Sequence, residues 1–249
     1  MRLVRAEILK LVRRRGLMIW SLILTVGATL LAEVILISLH AANAGKHGPA
    51  GGAANFRNLA ELVAGLGSVA AIIIGATAGS QDVANGVFRD LVVTGRKRTT
   101  LFAVRLPGAL LVFLPMALIA LVIDLACSFA FAGNLANPSG SDIRRELAYV
   151  LAITCINVVL AVCLAAFASS RVVVGVLIAW NAIVSHILMS IGSLGSVRKG
   201  IDVAAAEHFL PTREGRQVTM SAVTAVFVLV VWAAVFSRAG RWWTNRVDA

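Results

Sequence analysis

The sequence predicts an all-α integral membrane protein with six transmembrane helices. Of its 249 residues, 59% are hydrophobic and only 14% are charged, and the mean hydropathy is +0.88. Soluble domains carry about 25% charged residues, so this chain has more apolar surface than a soluble core can hide. Six apolar runs are each long enough to cross a bilayer core of about 30 Å as a helix.

These runs are separated by polar segments rich in Gly, Asn, Pro and basic residues. Open β-structure leaves its backbone unsatisfied in lipid, and no run alternates with a period of two, so a helical bundle is favoured over a barrel. A kink is expected near Pro115 in the third run. The runs cover residues 17–39, 59–80, 101–131, 147–168, 172–191 and 218–236.

Six spans place both termini on one side of the membrane, and the basic residues indicate which side. With the termini inside, the inner segments hold fifteen of the 23 lysines and arginines, so the positive-inside rule predicts cytoplasmic termini. The expected parts are an N-terminal helix over 1–16, a six-helix membrane domain over 17–238 and a short cytoplasmic tail over 239–249. The outer segment 194–217 is expected to be a loop with a short helix over 201–209.

The first sixteen residues have an apolar face that includes Ile8 and Leu11 and is flanked by basic side chains. This pattern predicts an amphipathic helix that lies in the inner headgroup region and contacts membrane lipid. The alternative is a plain polybasic topology signal. The polar side chains assigned to this helix are Arg5, Glu7, Lys10, Arg13, Arg14 and Arg15.

The inner segment between the second and third runs reads GSQDVANGVFRDLVVTGRKRTTLFAVR. Val83, Val87 and Leu91 recur at a spacing of four, which predicts a short amphipathic helix over 82–93 that ends near Gly95. A helix of this kind either rests on the membrane or docks in a groove of a partner protein. A basic loop that only fixes the topology is the alternative.

The same segment resembles the type-2 ABC transporter permease family, the membrane subunits of ABC exporters. That family often reads acid-x-x-x-Gly-Thr-x-Arg-x-Leu-Leu, then Pro-x-Ser-Arg, Leu and Lys. This chain departs from it by Asp for Glu, Val for Thr, Gly for Pro, Lys for Ser and Arg for Lys. The opening AEILKLVRRR is also similar to the family's N-terminal elbow helix. The matching positions are Asp82, Gly86, Val87, Arg89, Leu91, Val92, Gly95, Lys97, Arg98, Leu101 and Arg105.

The resemblance implies a permease subunit of an exporter in the cytoplasmic membrane of a bacterium. It would form the translocation path as a homodimer or as a pair with a similar permease, and segment 81–100 would seat on a cytosolic ABC ATPase, present in two copies. The chain has no G-x-x-x-x-G-K-[ST] motif, so ATP and Mg²⁺ would be bound by that ATPase and no cofactor is expected here. The residues implied in coupling are Asp82, Val83, Gly86, Val87, Arg89, Asp90, Leu91, Arg96, Arg98 and Arg105.

Polar side chains inside apolar runs are costly in lipid and are therefore candidate functional groups. They would line the translocation path, with a proton site at Asp124 or His186, and Glu33 lies toward the outer end of the first run. Hydrogen bonding between helices is the alternative for each. Asp124 also supports a rival function, an ATPase-independent ion-coupled transporter, and a structural membrane protein is a third possibility. The path candidates are Asp124, Asn157, Asn181 and His186.

No enzyme, metal site or nucleic-acid site is predicted. The sequence has no H-E-x-x-H motif, and Ser185 and His186 are adjacent on a helix, where their side chains are expected to diverge. Basic residues at the ends of apolar runs explain the net charge of +11 better than nucleic-acid binding does. Gly75 and Gly79 form a G-x-x-x-G pattern that favours close helix packing, within the bundle or in a dimer.

Overall fold

The computed structural model describes residues 2–93, 95, 97–210 and 218–246, without the side chains of Phe88, Arg89 and Leu91. The protein is 83% helical, and no strand occurs among the described residues. Within the described ranges, six helices are long and apolar enough to cross a membrane, which confirms the six predicted runs. The bounds differ from those of the runs: the second of these helices extends beyond both ends of its run, whereas the fourth ends at Leu164 and the sixth begins at Ala222.

Nine α-helices occur in the described part of the chain. The six long ones are α2, α3, α5, α6, α7 and α9, and α2 and α7 each contain a π-helical turn, at Ile23–Gly27 and Trp180–Val184. A 3₁₀ segment, Gly192–Gly200, precedes α8. The bounds are α1 Arg2–Val12, α2 Arg15–Ala42, α3 Ala53–Ala84, α4 Val87–Val93, α5 Arg98–Ala130, α6 Gly140–Leu164, α7 Ser170–Ser190, α8 Asp202–Glu207 and α9 Ala222–Arg246.

Helix α3 lies at the centre of the bundle and packs most closely against α6. A Cβ atom on Gly75 would lie 2.8 Å from the Cβ of Ala161, and one on Gly79 would lie 2.5 Å from the carbonyl oxygen of Val162. Side chains at these two positions would force the helices apart. Both glycines therefore serve packing between α3 and α6 inside one chain, and neither is available to a dimer seam.

The N-terminal helix α1 and the end of α9 lie at the same end of the bundle. The end of α3 contacts α1 there, since Lys10 binds Asp82. Arg98 at the start of α5 donates from Nη1 to the backbone oxygen of Asn245 over 3.4 Å. Helix α9 runs on to Arg246, so residues 239–246 continue the sixth spanning helix instead of forming a separate tail.

The segment before α9 folds back among the helices. Trp180, near the middle of α7, donates from Nε1 to Oδ1 of Asp202 over 2.9 Å, and Trp232 of α9 donates to the backbone oxygen of Gly200 over 2.8 Å. Asp202 is fully buried. The short helix predicted here is observed as α8, and its residues 202–206 are buried, whereas most of the 3₁₀ segment before it is exposed. Residues 211–217 of the predicted loop lie outside the described residues.

Candidate coupling interface

Four charged side chains join α1, the end of α3 and the start of α5. The ammonium of Lys10 lies 2.7 Å from Oδ1 of Asp82 and 2.8 Å from Oε1 of Glu7. On the other side of Asp82, Nη2 of Arg105 lies 3.1 Å from Oδ2. We call Glu7, Lys10, Asp82 and Arg105 the ionic clamp. Its two acids and two bases balance in charge.

The ionic clamp is largely buried. Arg105 is 1% exposed and Asp82 is 4% exposed. The guanidinium of Arg105 also donates from Nη1 to the backbone oxygen of Gly79 over 2.8 Å, so a charge that would be costly in a dry interior is both paired and hydrogen-bonded. Loss of Asp82 would leave that charge without its carboxylate.

Apolar packing holds α1 against α5 beneath the ionic clamp. Leu11 is fully buried in a cluster with Ala109, Val112 and other side chains of α3 and α5. A Cβ atom on Gly108 would lie 2.8 Å from the Cβ of Glu7, so α1 approaches α5 closely at this glycine. The apolar face of α1, which was expected to contact lipid, is therefore partly buried against α5.

A second polar contact supports the turn between α1 and α2. Arg14 donates from Nε and Nη2 to the side-chain oxygen of Gln81 over 3.1 and 2.9 Å, with the amide oriented so that its oxygen faces the guanidinium. Gln81 directly precedes Asp82 in α3. The remaining basic side chains assigned to the N-terminal helix are exposed: Arg5, Arg13 and Arg15.

The helix predicted over 82–93 is divided into two pieces. Helix α3 continues to Ala84, and α4 begins at Val87 after a turn at Gly86, whose φ is +69° and whose N–H donates to the carbonyl oxygen of Val83 over 3.1 Å. A positive φ is readily adopted by glycine, which explains the break. The predicted end is confirmed, because α4 stops at Val93 and Gly95 has a φ of +83°.

Valines at this turn and along α4 face outward. Val83, Val87 and Val93 are 53%, 42% and 79% exposed. Val83 lies next to the buried ionic clamp, because it follows Asp82 directly. The arrangement can offer a small apolar surface to a partner while the adjoining helix ends are fixed.

The other residues predicted to take part in coupling differ in their exposure and in the contacts that they make. Asp90 is exposed, and Arg98 contacts the end of α9 within the chain. Asp82 and Arg105 are paired inside the protein, so they can position the segment but do not present their charges on its surface. The side chains of Arg89 and Leu91, and the whole of Arg96, lie outside the described residues.

The four path candidates do not converge. Asn157 and Asn181 exchange side-chain hydrogen bonds of 2.8 and 3.2 Å, which join α6 to the π-helical turn of α7. Asp124 lies elsewhere, on α5, and accepts a 3.4 Å hydrogen bond from Ser128. His186 lies 3.5 Å from Oε1 of Glu207. The asparagine pair thus makes a hydrogen bond between helices, the alternative given for polar groups within the bundle.

One expectation about neighbouring side chains is wrong. Ser185 Oγ lies 3.4 Å from Nδ1 of His186, although these neighbours were expected to diverge. The hydroxyl of Ser185 also lies 3.2 Å from the backbone oxygen of Asn181, an acceptor it can use instead. A serine that is hydrogen-bonded back to its own helix is a packing arrangement common in membrane helices.

Sequence reasoning missed the ionic clamp as a unit. Its single local signal is the spacing of three between Glu7 and Lys10, which places them on one face of α1. Nothing in the sequence points from Lys10 to Asp82. The chain matches no protein-family model and no curated protein. The function must therefore follow from the residues themselves.

Proposed function

We propose that this protein is the permease subunit of an ABC transporter, an exporter that forms its translocation path as a dimer and is driven by a separate cytosolic ATPase. The ionic clamp is the observation that carries the proposal. It joins three helix ends next to a short helix with exposed valines, which is the arrangement a mechanical coupling element needs.

In this proposal the basic end of the bundle faces the cytoplasm. Helix α1 then acts as the elbow helix, with Arg5, Arg13 and Arg15 near anionic lipid headgroups. Helix α4 is the coupling helix, and Val83 and Val87 seat in a cleft of the ATPase. Binding of ATP and Mg²⁺ takes place in that partner.

The ionic clamp explains how a movement of α4 would reach the membrane. Asp82 ends α3 and Arg105 lies in the first turns of α5, so a displacement of the segment between them acts on both helices. Lys10 adds α1 to the same unit. A push on α4 would then tilt α3 and α5 together, because an ion pair in a buried setting resists separation.

The experiment is purification of the full chain from its native membrane in mild detergent, followed by mass spectrometry of the co-purifying proteins. We expect a stoichiometric partner with a phosphate-binding loop. Val87→Glu should remove this partner because it places a charge in the apolar contact. A preparation without such a partner, under conditions in which other ABC complexes survive, would contradict the proposal.

Val197→Glu is the matched control. Val197 is 73% exposed and lies in the 3₁₀ segment, away from the ionic clamp. Both variants add the same charge to an exposed valine, so general effects on expression should be shared. Loss of the partner in both variants would show that the contact is not at α4.

A further inference from the structure

Two carboxylic acids lie buried where α2 meets α5. Glu33 of α2 is 2% exposed and Asp124 of α5 is fully buried. Both carboxylate oxygens of Glu33, and Oδ2 of Asp124, have no hydrogen-bond partner among the described residues. The hydroxyl of Ser128 gives Oδ1 of Asp124 its one hydrogen bond there, at 3.4 Å. The coupling interface uses neither acid.

Glu33 and Asp124 lie close enough together for their charges to interact. The charge of Glu33 acts on Asp124, as does that of Glu146 to a smaller extent. Glu33 and Asp124 both act on the neighbouring thiol of Cys127. The two acids are therefore directed at the same small region of the bundle.

Two ionised carboxylates cannot share a dry region at low cost. Each loses its hydration when buried, and the like charges repel one another. A metal ion would need several oxygen ligands, typically six or more for Ca²⁺. Within the described residues no group of three His, Cys, Asp or Glu side chains could hold one. A proton needs a single carboxylate oxygen, and the unpartnered oxygens provide it.

We propose that Glu33 and Asp124 form a proton-binding site that holds at least one proton at neutral pH. Binding converts a carboxylate to a carboxylic acid and removes one negative charge from the bundle. The site is independent of ATPase docking, so it can exist whether or not the proposed coupling is correct. The ligand of the site is a proton, and Glu33 is the partner of Asp124 in binding it.

Infrared difference spectroscopy of the full chain in lipid nanodiscs tests this proposal. The spectrum of the wild type minus that of Glu33→Gln/Asp124→Asn, both at neutral pH, should contain the carbonyl band of a protonated carboxylic acid, shifted in D₂O. Asp90→Asn is the control, and its difference spectrum should contain only carboxylate bands, because Asp90 is exposed. If the difference spectrum of the double variant contains only carboxylate bands, the proposal is overturned.

A second measurement needs no substitution within the pair. A hydrophobic carbodiimide reacts with protonated carboxyl groups in apolar surroundings, and mass spectrometry locates the adduct. We expect an adduct on Glu33 or Asp124 of the wild type at neutral pH, lost as the pH rises, with none on Asp90. Absence of the adduct would overturn the proposal. Protection by Na⁺ at constant pH would also overturn it, in favour of a cation site.

Discussion

The ammonium of Lys10 lies 2.7 Å from the carboxylate of Asp82, which is 72 residues away in the chain. Asp82 in turn binds Arg105 at 3.1 Å. This one carboxylate therefore fixes the N-terminal helix, the second spanning helix and the third spanning helix relative to one another. The short helix α4 begins five residues later, so its base is held by the same contact.

Asp82→Asn should destabilise the protein by about 3 kcal/mol, because it removes the carboxylate that pairs with the buried guanidinium of Arg105. Unfolding in mixed micelles by increasing SDS measures this difference. Asp90→Asn is the control, since it removes an exposed carboxylate and should change stability by less than about 0.5 kcal/mol. Equal stability of the two variants would mean that Arg105 does not depend on Asp82.

Exchange of the two charges should restore stability only in part. In Lys10→Glu/Asp82→Lys the new lysine faces Arg105, and the new glutamate lies one helical turn from Glu7. Both contacts are repulsive, so the double variant should be less stable than the wild type, although more stable than Asp82→Lys alone, in which Lys10 faces a second lysine. The same SDS unfolding assay measures it. Recovery to the wild-type value would show that Lys10 and Asp82 interact as an isolated pair.

Gly79→Ala should cost about 1–3 kcal/mol, because the added methyl group would lie 2.5 Å from the carbonyl oxygen of Val162. Gly65→Ala is the matched control in the same helix. Nothing lies within 4 Å of a Cβ atom there, so alanine should be neutral or slightly stabilising. Thermal unfolding in detergent compares them. A neutral Gly79→Ala would contradict the close packing of α3 on α6.

The Asn157–Asn181 pair should behave as a packing contact. A double-mutant cycle with Asn157→Ala and Asn181→Ala should give a coupling free energy of about 0.6–2 kcal/mol, as for interhelical hydrogen bonds in membrane proteins. Unfolding of the four proteins in SDS provides the cycle. A coupling near zero, together with loss of transport in either single variant, would instead favour a place in the translocation path.

The six spanning helices are predictable from the sequence because bilayer thickness sets the length of an apolar run. Their ends are less predictable, since α3 already begins at Ala53, six residues before its apolar run. The short helix α8 was predicted, but its burial was not, because the glycines and basic residues around it are typical of a loop. Its burial depends on contacts from Trp180 and Trp232, which come from two other helices.

The candidate site was predicted only in part. The spacing of four predicted an apolar face of Val83, Val87 and Leu91, but Val83 lies on α3 and the side chain of Leu91 lies outside the described residues. The predicted end at Gly95 is confirmed. The break at Gly86 was missed because glycine is also found within helices, at a cost of about 1 kcal/mol. The burial of Asp82 and Arg105 depends on α1 lying against α5, a tertiary contact that sequence periodicity does not report.

Photo-crosslinking from α4 tests the central claim most directly. A photoreactive amino acid is placed at Val87, or at Val197 as the control, in the full chain in its native membrane, and the adducts are identified by mass spectrometry. Docking of an ATPase on α4 predicts an adduct from Val87, and none from Val197, to a protein with a phosphate-binding loop. Adducts from Val87 to lipid alone, or to no such protein, would contradict it.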